Sequence, residues 1–410
     1  MIYKVYYKRA DFLKNRIIFH VDVNSAYLSW QSVENIKTNK GLDLRKIPSI
    51  IGGNEKTRHG VVLAKSVLAK KFGIKTGESI YSARKKCRDI VVVPPNFMIY
   101  VKYSNMLLEF LREYTPVIEE FSIDECFLDF TGTKYLYKDY IKLAYEIKER
   151  IKKELGFTVN IGISNNKLLS KMAGDLEKPD KVHTIWRDEV KLKMWPLPVE
   201  NLFMVGKATS KKLNEYNIYT IGDLAKTNKD FLKIKFKKHG EIIWNYANGI
   251  ENSPVKSCAD SVKSIGNSIT IPYDIESREE AHKVLLALSE KVSTRLRLNK
   301  SICGVISIGI KYSDFSYCSR QKKLDCPLDT TDDIINEVYN LFDKYWNGRK
   351  IRLLGITLSD LSSNEVYQLN MFSSNISKHK KLDKVIDEIR SKYGNDSIVR
   401  STFIDSKKDR

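Results

Sequence analysis

A short acidic segment between two apolar runs, residues 117–130 with the sequence VIEEFSIDECFLDF, constrains this chain most strongly. The apolar residues on either side of Asp124 and Glu125 predict two strands that meet at a tight corner. Two adjacent carboxylates in such surroundings are costly unless positive charge lies on them. Because neighbouring strand residues point to opposite faces, both acids can serve one site only if the chain turns between them. One interpretation is that they hold divalent metal ions together with Asp22; the alternative is a solvated hairpin tip.

The upstream acid, Asp22, lies near the end of an apolar segment, residues 17–23 with the sequence IIFHVDV, which predicts a short buried strand. Ligand-binding acids in α/β sheets favour the ends of strands, which fits a role in a shared site. A lone aspartate at a strand end is also a common cap or turn residue, so this position alone does not decide between the two interpretations.

The chain has a large excess of positive charge, +20 over 410 residues, which predicts a polyanionic partner such as nucleic acid. No long apolar run favours a membrane, and the basic N-terminus lacks the apolar core of a secretory signal. The six cysteines are scattered without a CxxC pair, and the histidines show no HxxxH spacing. This pattern argues against a zinc site and a disulfide framework, and it predicts a cytoplasmic protein.

The N-terminal half alternates strand and helix signals. After the first strand, residues 48–83 predict two strands and a short helix over 67–72, and then come a helix over 97–114, the acidic hairpin, a helix over 137–155, a strand over 158–163 and a helix capped by Asn165. This order resembles a ferredoxin-like sheet with helices on one face. Lys65, Lys70, Lys71 and Lys75 in the second segment predict either an edge that faces phosphate or a solvated lysine face.

Residues 199–249 predict a basic, all-helical segment. Residues 205–240 contain nine lysines and three acids. Phe203-Met204-Val205-Gly206-Lys207 and the helix after it are typical of a helix–hairpin–helix unit, whose backbone N–H groups bind phosphate. Met204 stands where such a unit usually has its first glycine, and a plain helical bundle with a glycine turn is the alternative.

The pattern restarts after a polar linker and predicts a βαββαβ domain, a four-stranded sheet with two helices on one face. Its open face is expected to suit a phosphate backbone, although a merely solvated face would show the same alternation. The polar residues expected on that face are Lys263, Ser268, Lys311, Ser313, Ser319, Arg320, Lys322 and Lys323.

One apolar motif, QLNMF at residues 368–372, interrupts the polar tail. A weak local packing contact is the simpler explanation for so short a motif. We favour a docking peptide that places Leu369, Met371 and Phe372 in a groove on a partner, with Gln368 at its start. The rest of the tail predicts a short basic helix over about 380–393 and a disordered end.

Four motifs in this order and spacing, HVDVNSAY, SIDECFLDFTG, GISNNKLLSKMAGDLEKP and SIGNSITIP, resemble the Y-family DNA polymerases, especially the bacterial polymerase IV and UmuC-like group. The resemblance covers roughly residues 17–360 and adds QLNMF as a sliding-clamp-binding peptide. It implies a multidomain α+β right-hand polymerase that carries out low-fidelity synthesis past damaged template bases in DNA repair.

The resemblance also implies a division into domains. These are an N-terminal extension (1–15), a ferredoxin-like palm (16–25 and 91–185), small fingers (26–90), a helical thumb with the helix–hairpin–helix unit (186–250), a linker (251–262), a little finger (263–361) and a tail (362–410). The implied partners are primer–template DNA, dNTPs and a sliding clamp. The protein is expected to be a monomer.

Carried over position by position, the resemblance implies a catalytic set and a substrate set. Asp22, Asp124 and Glu125, with the Val23 carbonyl, would hold two Mg²⁺ ions, or Mn²⁺ in their place. Tyr27 would be the steric gate against the ribose 2′-OH, while Lys70, Lys178 and nearby Lys171 would contact the triphosphate. The residues expected to bind DNA are Val205, Gly206, Lys207, Lys311, Arg320 and Lys322.

Some positions depart from the family pattern. A tyrosine that contacts the triphosphate is missing, since Val67 stands in its place, and Lys70 replaces an arginine. A lysine binds phosphate as a point charge without the bidentate fork of arginine, so nucleotide affinity is expected to fall. Asn24 and Ser25 stand where an acid or an aromatic is common.

Two alternative functions remain open for the whole protein. They are a non-catalytic DNA-binding protein and a UmuC-like subunit that needs accessory proteins.

Overall fold

The computed structural model describes residues 16–38, 41–58, 60–133, 135–257, 261–363 and 376–403. These residues form two compact units, the first within residues 1–53 and 61–259 and the second within residues 54–60 and 260–410. The predicted extension at 1–15 and the QLNMF peptide lie outside the described residues. The finer division into palm, fingers, thumb and little finger remains a prediction.

The first unit is built on a five-stranded sheet in the order β5-β6-β1-β7-β8. Its strands are β1 (Ile18–Val23), β5 (Ile118–Glu120), β6 (Glu125–Asp129), β7 (Val159–Ser164) and β8 (Val182–Thr184). β1 runs antiparallel to both β6 and β7, and β8 runs parallel to β7. The hairpin, the first strand and the strand near residue 160 are confirmed, whereas the edge strand β8 was not predicted.

One face of this sheet is covered by three helices, α1 (Ala26–Lys37), α4 (Phe97–Arg112) and α5 (Tyr140–Arg150). Phe19 and Val21 of β1 pack in one apolar core with Tyr100, Leu107 and Ile147 from two of these helices. The α5 helix is capped by Asp139, whose carboxylate accepts the backbone N–H groups of residues 141 and 142. This amphipathic covering follows from the helical apolar stripe in the sequence.

The other face carries helix α6 (Lys167–Asp175), so the expectation of helices on one face only is wrong. Gly162 of β7 lies directly against Ser170 and Gly174 of α6, with no room between the two backbones for a side chain. The helix is capped by Asn166, whose side chain accepts the Leu169 N–H at 2.8 Å. Asn165, the predicted cap, instead donates its amide to the Arg16 carbonyl oxygen.

Two smaller groups of elements complete the first unit. A three-stranded sheet contains β2 (Ser49–Gly52), β3 (Val62–Lys65) and β4 (Val91–Val93), with helices α2 (Val67–Lys71) and α3 (Ile80–Lys86). The helical segment contains α7 (Lys207–Asn214), α8 (Ile221–Lys226), α9 (Lys229–Phe236) and α10 (Lys238–Ala247). Its core includes Leu169 and Met172, so α6 lies between the large sheet and these helices.

The second unit has the predicted βαββαβ order. Its elements are β9 (Ser264–Ile275), α11 (Arg278–Leu298), β10 (Ser301–Tyr312), β11 (Tyr317–Leu328), α12 (Thr331–Tyr345) and β12 (Ile351–Ser363). The strands form an antiparallel sheet in the order β11-β10-β12-β9. Ile306, Ile308 and Ile310 of β10 pack against residues of both helices, which leaves the alternate residues on the open face.

A further helix, α13 (Ile376–Tyr393), returns to the second unit after β12 and starts earlier than the predicted tail helix. Arg297 of α11 forms ion pairs with Asp383 at 3.1 Å and with Asp387 at 2.6 Å. Glu290, also on α11, pairs with Arg390 and Arg400. Asp383 is buried and also accepts the Thr331 N–H at 2.8 Å, so α13 packs against the domain through these polar contacts.

Candidate active site

The acidic corner predicted from the sequence lies between β5 and β6. The backbone N–H groups of Phe121 and Ser122 both donate to the Glu125 carbonyl oxygen, at 3.0 and 3.1 Å, which closes a tight bend. The Ser122 hydroxyl donates to the Asp124 carboxylate at 2.6 Å. Asp124 therefore lies in the bend, and Glu125 begins the next strand.

Strand pairing brings the third acid to this corner. Asp22 near the end of β1 stands directly opposite Glu125 of β6, and directly opposite residues of an antiparallel pair point to the same face. The Val23 N–H donates to the Asp124 carbonyl oxygen at 3.0 Å, so Asp124 lies beside the same strand end. Residues a hundred positions apart in sequence are thus neighbours at one end of the sheet.

Positively charged side chains lie on two of these carboxylates. The Lys178 ammonium contacts Asp22 and also pairs with Asp175 at 2.8 Å, and the Lys171 ammonium contacts Glu125. Lys171 is carried by α6, and Lys178 follows the end of that helix. Two adjacent carboxylates in apolar surroundings need positive charge nearby, and here two lysines supply it.

A buried histidine completes the surroundings of Glu125. His20 of β1 is fully buried, its Nε2 lies 3.1 Å from a Glu125 carboxylate oxygen, and its ring lies against Phe127. Burial disfavours the ionised form of Glu125, but the hydrogen bonds from His20 and Lys171 outweigh it and lower the pKa to about 2. Glu125 is therefore negatively charged at neutral pH. His20 was not predicted as a site residue, although a histidine in an apolar strand two positions before Asp22 was a usable signal.

At Asp22, in contrast to Glu125, the effect of burial on the pKa outweighs that of the neighbouring positive charge. Burial of Asp22 raises the pKa of the carboxyl group above the ordinary value, and the nearby Lys178 ammonium offsets this only in part. A further positive charge at this position would favour the ionised form of Asp22.

The donor atoms at this corner suit a hard divalent cation. Three carboxylates and the Val23 carbonyl supply oxygen ligands, which Mg²⁺ prefers. In the described part of the chain, no three His, Cys, Asp or Glu side chains are gathered closely enough to form a ready-made metal site. The two ammonium groups nevertheless show that positive charge is accommodated on these acids. The residues therefore fit divalent ions, provided that the lysines release the carboxylates.

A cavity of about 410 Å³ opens beside Asp22 and Asp124. Its wall contains three of the predicted substrate residues, Tyr27, Lys70 and Lys178, together with residues that were not assigned to the site. The lining residues that are relevant below are Lys65, Ser66 and Thr76. Lys71 and Lys75 do not line this cavity, so only part of the lysine-rich segment faces it.

Lys171 is the predicted substrate residue that lies elsewhere. It lines a second cavity of about 130 Å³, together with Phe121 and Phe203. Its ammonium lies 5.2 Å from the Phe121 ring centroid and 5.6 Å from that of Phe203. These cation–π contacts and the Glu125 contact hold Lys171 behind the acidic corner.

Tyr27 of α1 forms a fixed part of the larger cavity's wall. Its ring stacks on Tyr100 with the centroids 4.5 Å apart and meets the edge of Phe97. Burial, and then the negative charge of Asp124, raise the pKa of the Tyr27 hydroxyl. Tyr27 is therefore a neutral, half-buried ring close to the acidic corner.

Asn24 supports the loop that carries Lys178. Its side-chain amide donates to Asn160 at 3.0 Å, and its oxygen accepts the backbone N–H of Asp180 at 2.9 Å. These bonds join the end of β1 to β7 and to the segment after Lys178. No local pattern in the sequence indicates this supporting role.

The predicted helix–hairpin–helix residues lie at the start of α7. Met204 has a φ of 73°, a left-handed conformation that favours glycine, and it occupies the position where a glycine was expected. Gly206 caps α7 without a side-chain hydrogen bond, and Lys207 is the first residue of the helix. Val205 packs into the apolar core beneath. Met204 thus adopts a backbone conformation that suits the expected glycine, and the helix–hairpin–helix unit remains a prediction.

The open face of the second unit contains only part of the predicted DNA-binding set. Lys311 and Ser268 line a groove of about 710 Å³ on this face, with Gly309 and Gly355 at its floor. Arg320 and Lys322 of β11 stand opposite Ile308 and Ile306, and they point toward the helices. Arg320 lies over the Tyr345 ring, and Lys322 pairs with Glu337 at 2.7 Å. Their predicted place on the open face is wrong, because strand residues alternate between faces.

None of the described helices is both long and apolar enough to cross a membrane.

Comparison with known proteins gives consistent matches over most of the chain. The profile of the impB/mucB/samB family matches residues 21–175, and the profile of that family's C-terminal domain matches residues 262–371. A DNA polymerase IV of Clostridium acetobutylicum is 50% identical over 392 residues, which are 95% of this chain and 99% of that protein. The DNA polymerase IV 2 of Bacillus subtilis is 38% identical over 401 residues, 96% of this chain and 95% of that protein.

The fold also matches a solved structure. A Y-family DNA polymerase chimera superposes with a TM-score of 0.73 over 85% of this chain and 100% of that chain, at 24% sequence identity. This likeness concerns the fold, and it agrees with the mixed α+β architecture described above.

Proposed function

The chain belongs to the Y family of DNA polymerases, and we propose that it extends primers past damaged template bases by two-metal phosphoryl transfer at the acidic corner. The observation that carries this proposal is the pairing of Asp22 with Glu125, with Asp124 beside them at a cavity lined by Lys70 and Lys178. Membership of the family accounts for DNA polymerase activity and a need for divalent metal. The metal count, its identity as Mg²⁺ and the damaged template are our proposals.

The roles of the residues follow from the chemistry of phosphoryl transfer, which requires positioning and charge neutralisation. Asp22 and Asp124 would hold both ions, the Val23 carbonyl would be an extra ligand, and Glu125 would complete the site nearer the primer. When bound, two Mg²⁺ ions would lower the pKa of the primer 3′-OH and stabilise the departing pyrophosphate. Lys70 and Lys178 would bind the triphosphate, so Lys178 would exchange its contact with Asp22 for one with phosphate.

His20 and Lys171 would act on Glu125 rather than on the substrate. The buried ring of His20 fixes one carboxylate oxygen, and the two aromatic rings beside Lys171 can retain its ammonium group when it leaves Glu125. Lys171 is therefore reassigned from a triphosphate contact to a residue that compensates the charge of Glu125.

The activity itself is tested by primer extension with the purified chain alone, on a primer–template with dNTPs and Mg²⁺. We expect extension without further proteins. Extension that appears only with added subunits would support the UmuC-like alternative.

Comparing extension on undamaged templates with extension on a panel of damaged ones tests the translesion role. We expect damaged templates to be tolerated, because the small three-stranded sheet and short helices predicted as fingers would press weakly on a nascent base pair.

Tyr27→Ala is expected to increase ribonucleotide incorporation, relative to dNTP incorporation, by about 100-fold. The Tyr27 ring is held against Tyr100, so its removal opens the wall of the cavity where a ribose 2′-OH would lie. Single-nucleotide incorporation with matched dNTP and NTP measures the ratio. Tyr81→Ala is the control, since Tyr81 is exposed and lies outside this cavity. An unchanged ratio in Tyr27→Ala would remove the steric-gate role.

The QLNMF segment is proposed as a sliding-clamp-binding peptide. Replacing Leu369, Met371 and Phe372 by alanine is expected to abolish most of the increase in extension that a clamp loaded on the template produces, because the apolar anchors of such a peptide carry its binding energy. The readout is the ratio of extension with clamp to extension without it. A triple variant with the wild-type ratio would contradict this assignment.

A further inference from the structure

Lys65 belongs to the lysine-rich segment for which a phosphate-facing edge and a solvated face were both open, and the proposed function gives it no role. It is the last residue of β3, and its side chain lines the same cavity as Asp22, Asp124, Lys70 and Lys178. Its ammonium donates to the Thr76 hydroxyl at 2.9 Å, and Thr76 lines this cavity too. The contact with Thr76 directs the end of the Lys65 side chain along the cavity wall.

The backbone around Lys65 is held on both sides. Lys65 pairs with Ile50 in the three-stranded sheet, and the N–H of Ser66 donates to the Ser49 carbonyl oxygen at 2.9 Å. The buried Ser66 hydroxyl accepts the N–H groups of Ala69 and Ser49, which begins α2 at a fixed place. Lys65 at the strand end and Lys70 in this helix therefore have a fixed spacing.

Within the described residues, the positive charges of Lys65 and Lys70 lack a direct ion-pair partner, unlike that of Lys178. The nearby Glu78 is paired with Lys86 at 2.5 Å. The side chains of Lys65 and Lys70 line the same cavity. Burial, and then the positive charge of Lys70, lower the pKa of Lys65, while the negative charge of Glu78 raises it. An anion in the cavity would relieve both the repulsion and the lost hydration.

We propose that Lys65 is a further substrate-binding residue, which binds the triphosphate of the incoming nucleotide together with Lys70. This inference rests on the proposed function and deepens it. A single ammonium binds phosphate as a point charge, so a polyphosphate is held well only when several such charges surround it. Lys65, Lys70 and Lys178 together provide them around one cavity, and the Thr76 hydroxyl keeps Lys65 in place.

The test is Lys65→Met, which preserves most of the side-chain length and removes the charge. In single-nucleotide incorporation we expect the KM for dNTP to rise about tenfold, while kcat changes less than about threefold, because uniform binding is lost. Lys71→Met is the matched control, since Lys71 is an exposed lysine next to Lys70 that does not line the cavity. Lys65→Arg is expected to restore KM to within about threefold of wild type.

A second measurement follows binding alone, without nucleotide incorporation. Inorganic tripolyphosphate should compete with dNTP for binding to the complex with a dideoxy-terminated primer, and its inhibition constant, corrected for the dNTP affinity of each variant, should rise in Lys65→Met by about the same factor as KM. If Lys65→Met lowers the melting temperature, Lys65→Gln replaces it in both assays. Wild-type KM and wild-type competition in the substituted protein, or an equal change in Lys71→Met, would overturn the inference.

The two proposals fail in distinguishable ways. If the wild-type chain does not extend primers at all, the proposed function fails. If it extends primers and Lys65→Met has the nucleotide affinity of the wild type, only the role of Lys65 fails.

Discussion

Asp124→Asn is expected to lower the rate of primer extension by about 10³-fold or more while leaving DNA affinity within about threefold. Asp124 lies in the bend between β5 and β6, next to Asp22 at the cavity, where its carboxylate would help to hold the metal ions. Losing that carboxylate removes charge stabilisation of several kcal/mol, and about 4 kcal/mol corresponds to a 10³-fold change in rate. Single-nucleotide extension at saturating dNTP measures the rate, and fluorescence anisotropy measures DNA binding.

Glu120→Gln is the control for this experiment. Glu120 is an exposed acid on the same hairpin and does not line the cavity, so its substitution makes the same change in charge without touching the site. We expect this variant to extend primers at the wild-type rate. Extension by Asp124→Asn within tenfold of wild type, with normal melting behaviour, would show that the acidic corner is not the catalytic centre.

Gly162→Ala is expected to destabilise the first unit by about 3 kcal/mol, since added atoms in a tightly packed contact force the backbone apart. A Cβ at residue 162 would lie 1.9 Å from the Ser170 carbonyl oxygen and 2.3 Å from the Gly174 nitrogen, so β7 and α6 would have to separate. Thermal unfolding followed by circular dichroism should show a melting temperature lower by roughly 6–12 °C.

Gly206→Ala is the matched substitution for stability. Its backbone is extended, and no atom lies within 4 Å of the place where its Cβ would be, so the melting temperature should change by less than about 2 °C. Because α6 carries Lys171 and leads to Lys178, Gly162→Ala should also weaken extension at temperatures where the protein remains folded. Equal melting temperatures for the two variants would show that the contact between β7 and α6 is looser than described.

The elements were predictable where one local signal sufficed. The alternation of the β9–β12 domain, the apolar strand before Asp22 and the turn at Asp124 all follow from short-range patterns of burial. The helix cap was misplaced by one residue because Asn165 and Asn166 are both good caps, and only tertiary contacts decide between them. The covering of the second sheet face by α6 depends on the close approach at Gly162, which leaves no periodic signal in the sequence.

The site was predictable as a set of residue types but not as an arrangement. The resemblance identified Asp22 and Glu125, whereas their direct opposition depends on strand register, which the sequence does not display. Lys171 and Lys178 were assigned to the triphosphate, yet the helix that positions them brings both to the acids. Arg320 and Lys322 were expected on the wrong face of the sheet, because a shift of one residue along a strand moves a side chain to the opposite face.

The ion pairs between α11 and α13 bear on how a partner would hold this protein. Residues 364–375 join β12 to α13, and both of those elements belong to the same domain. If QLNMF binds a clamp as proposed, the elements that flank the bound segment on both sides belong to the second unit. Because α13 is attached to α11 by ion pairs, such a partner would keep the second unit at a high local concentration from both flanks of the bound segment.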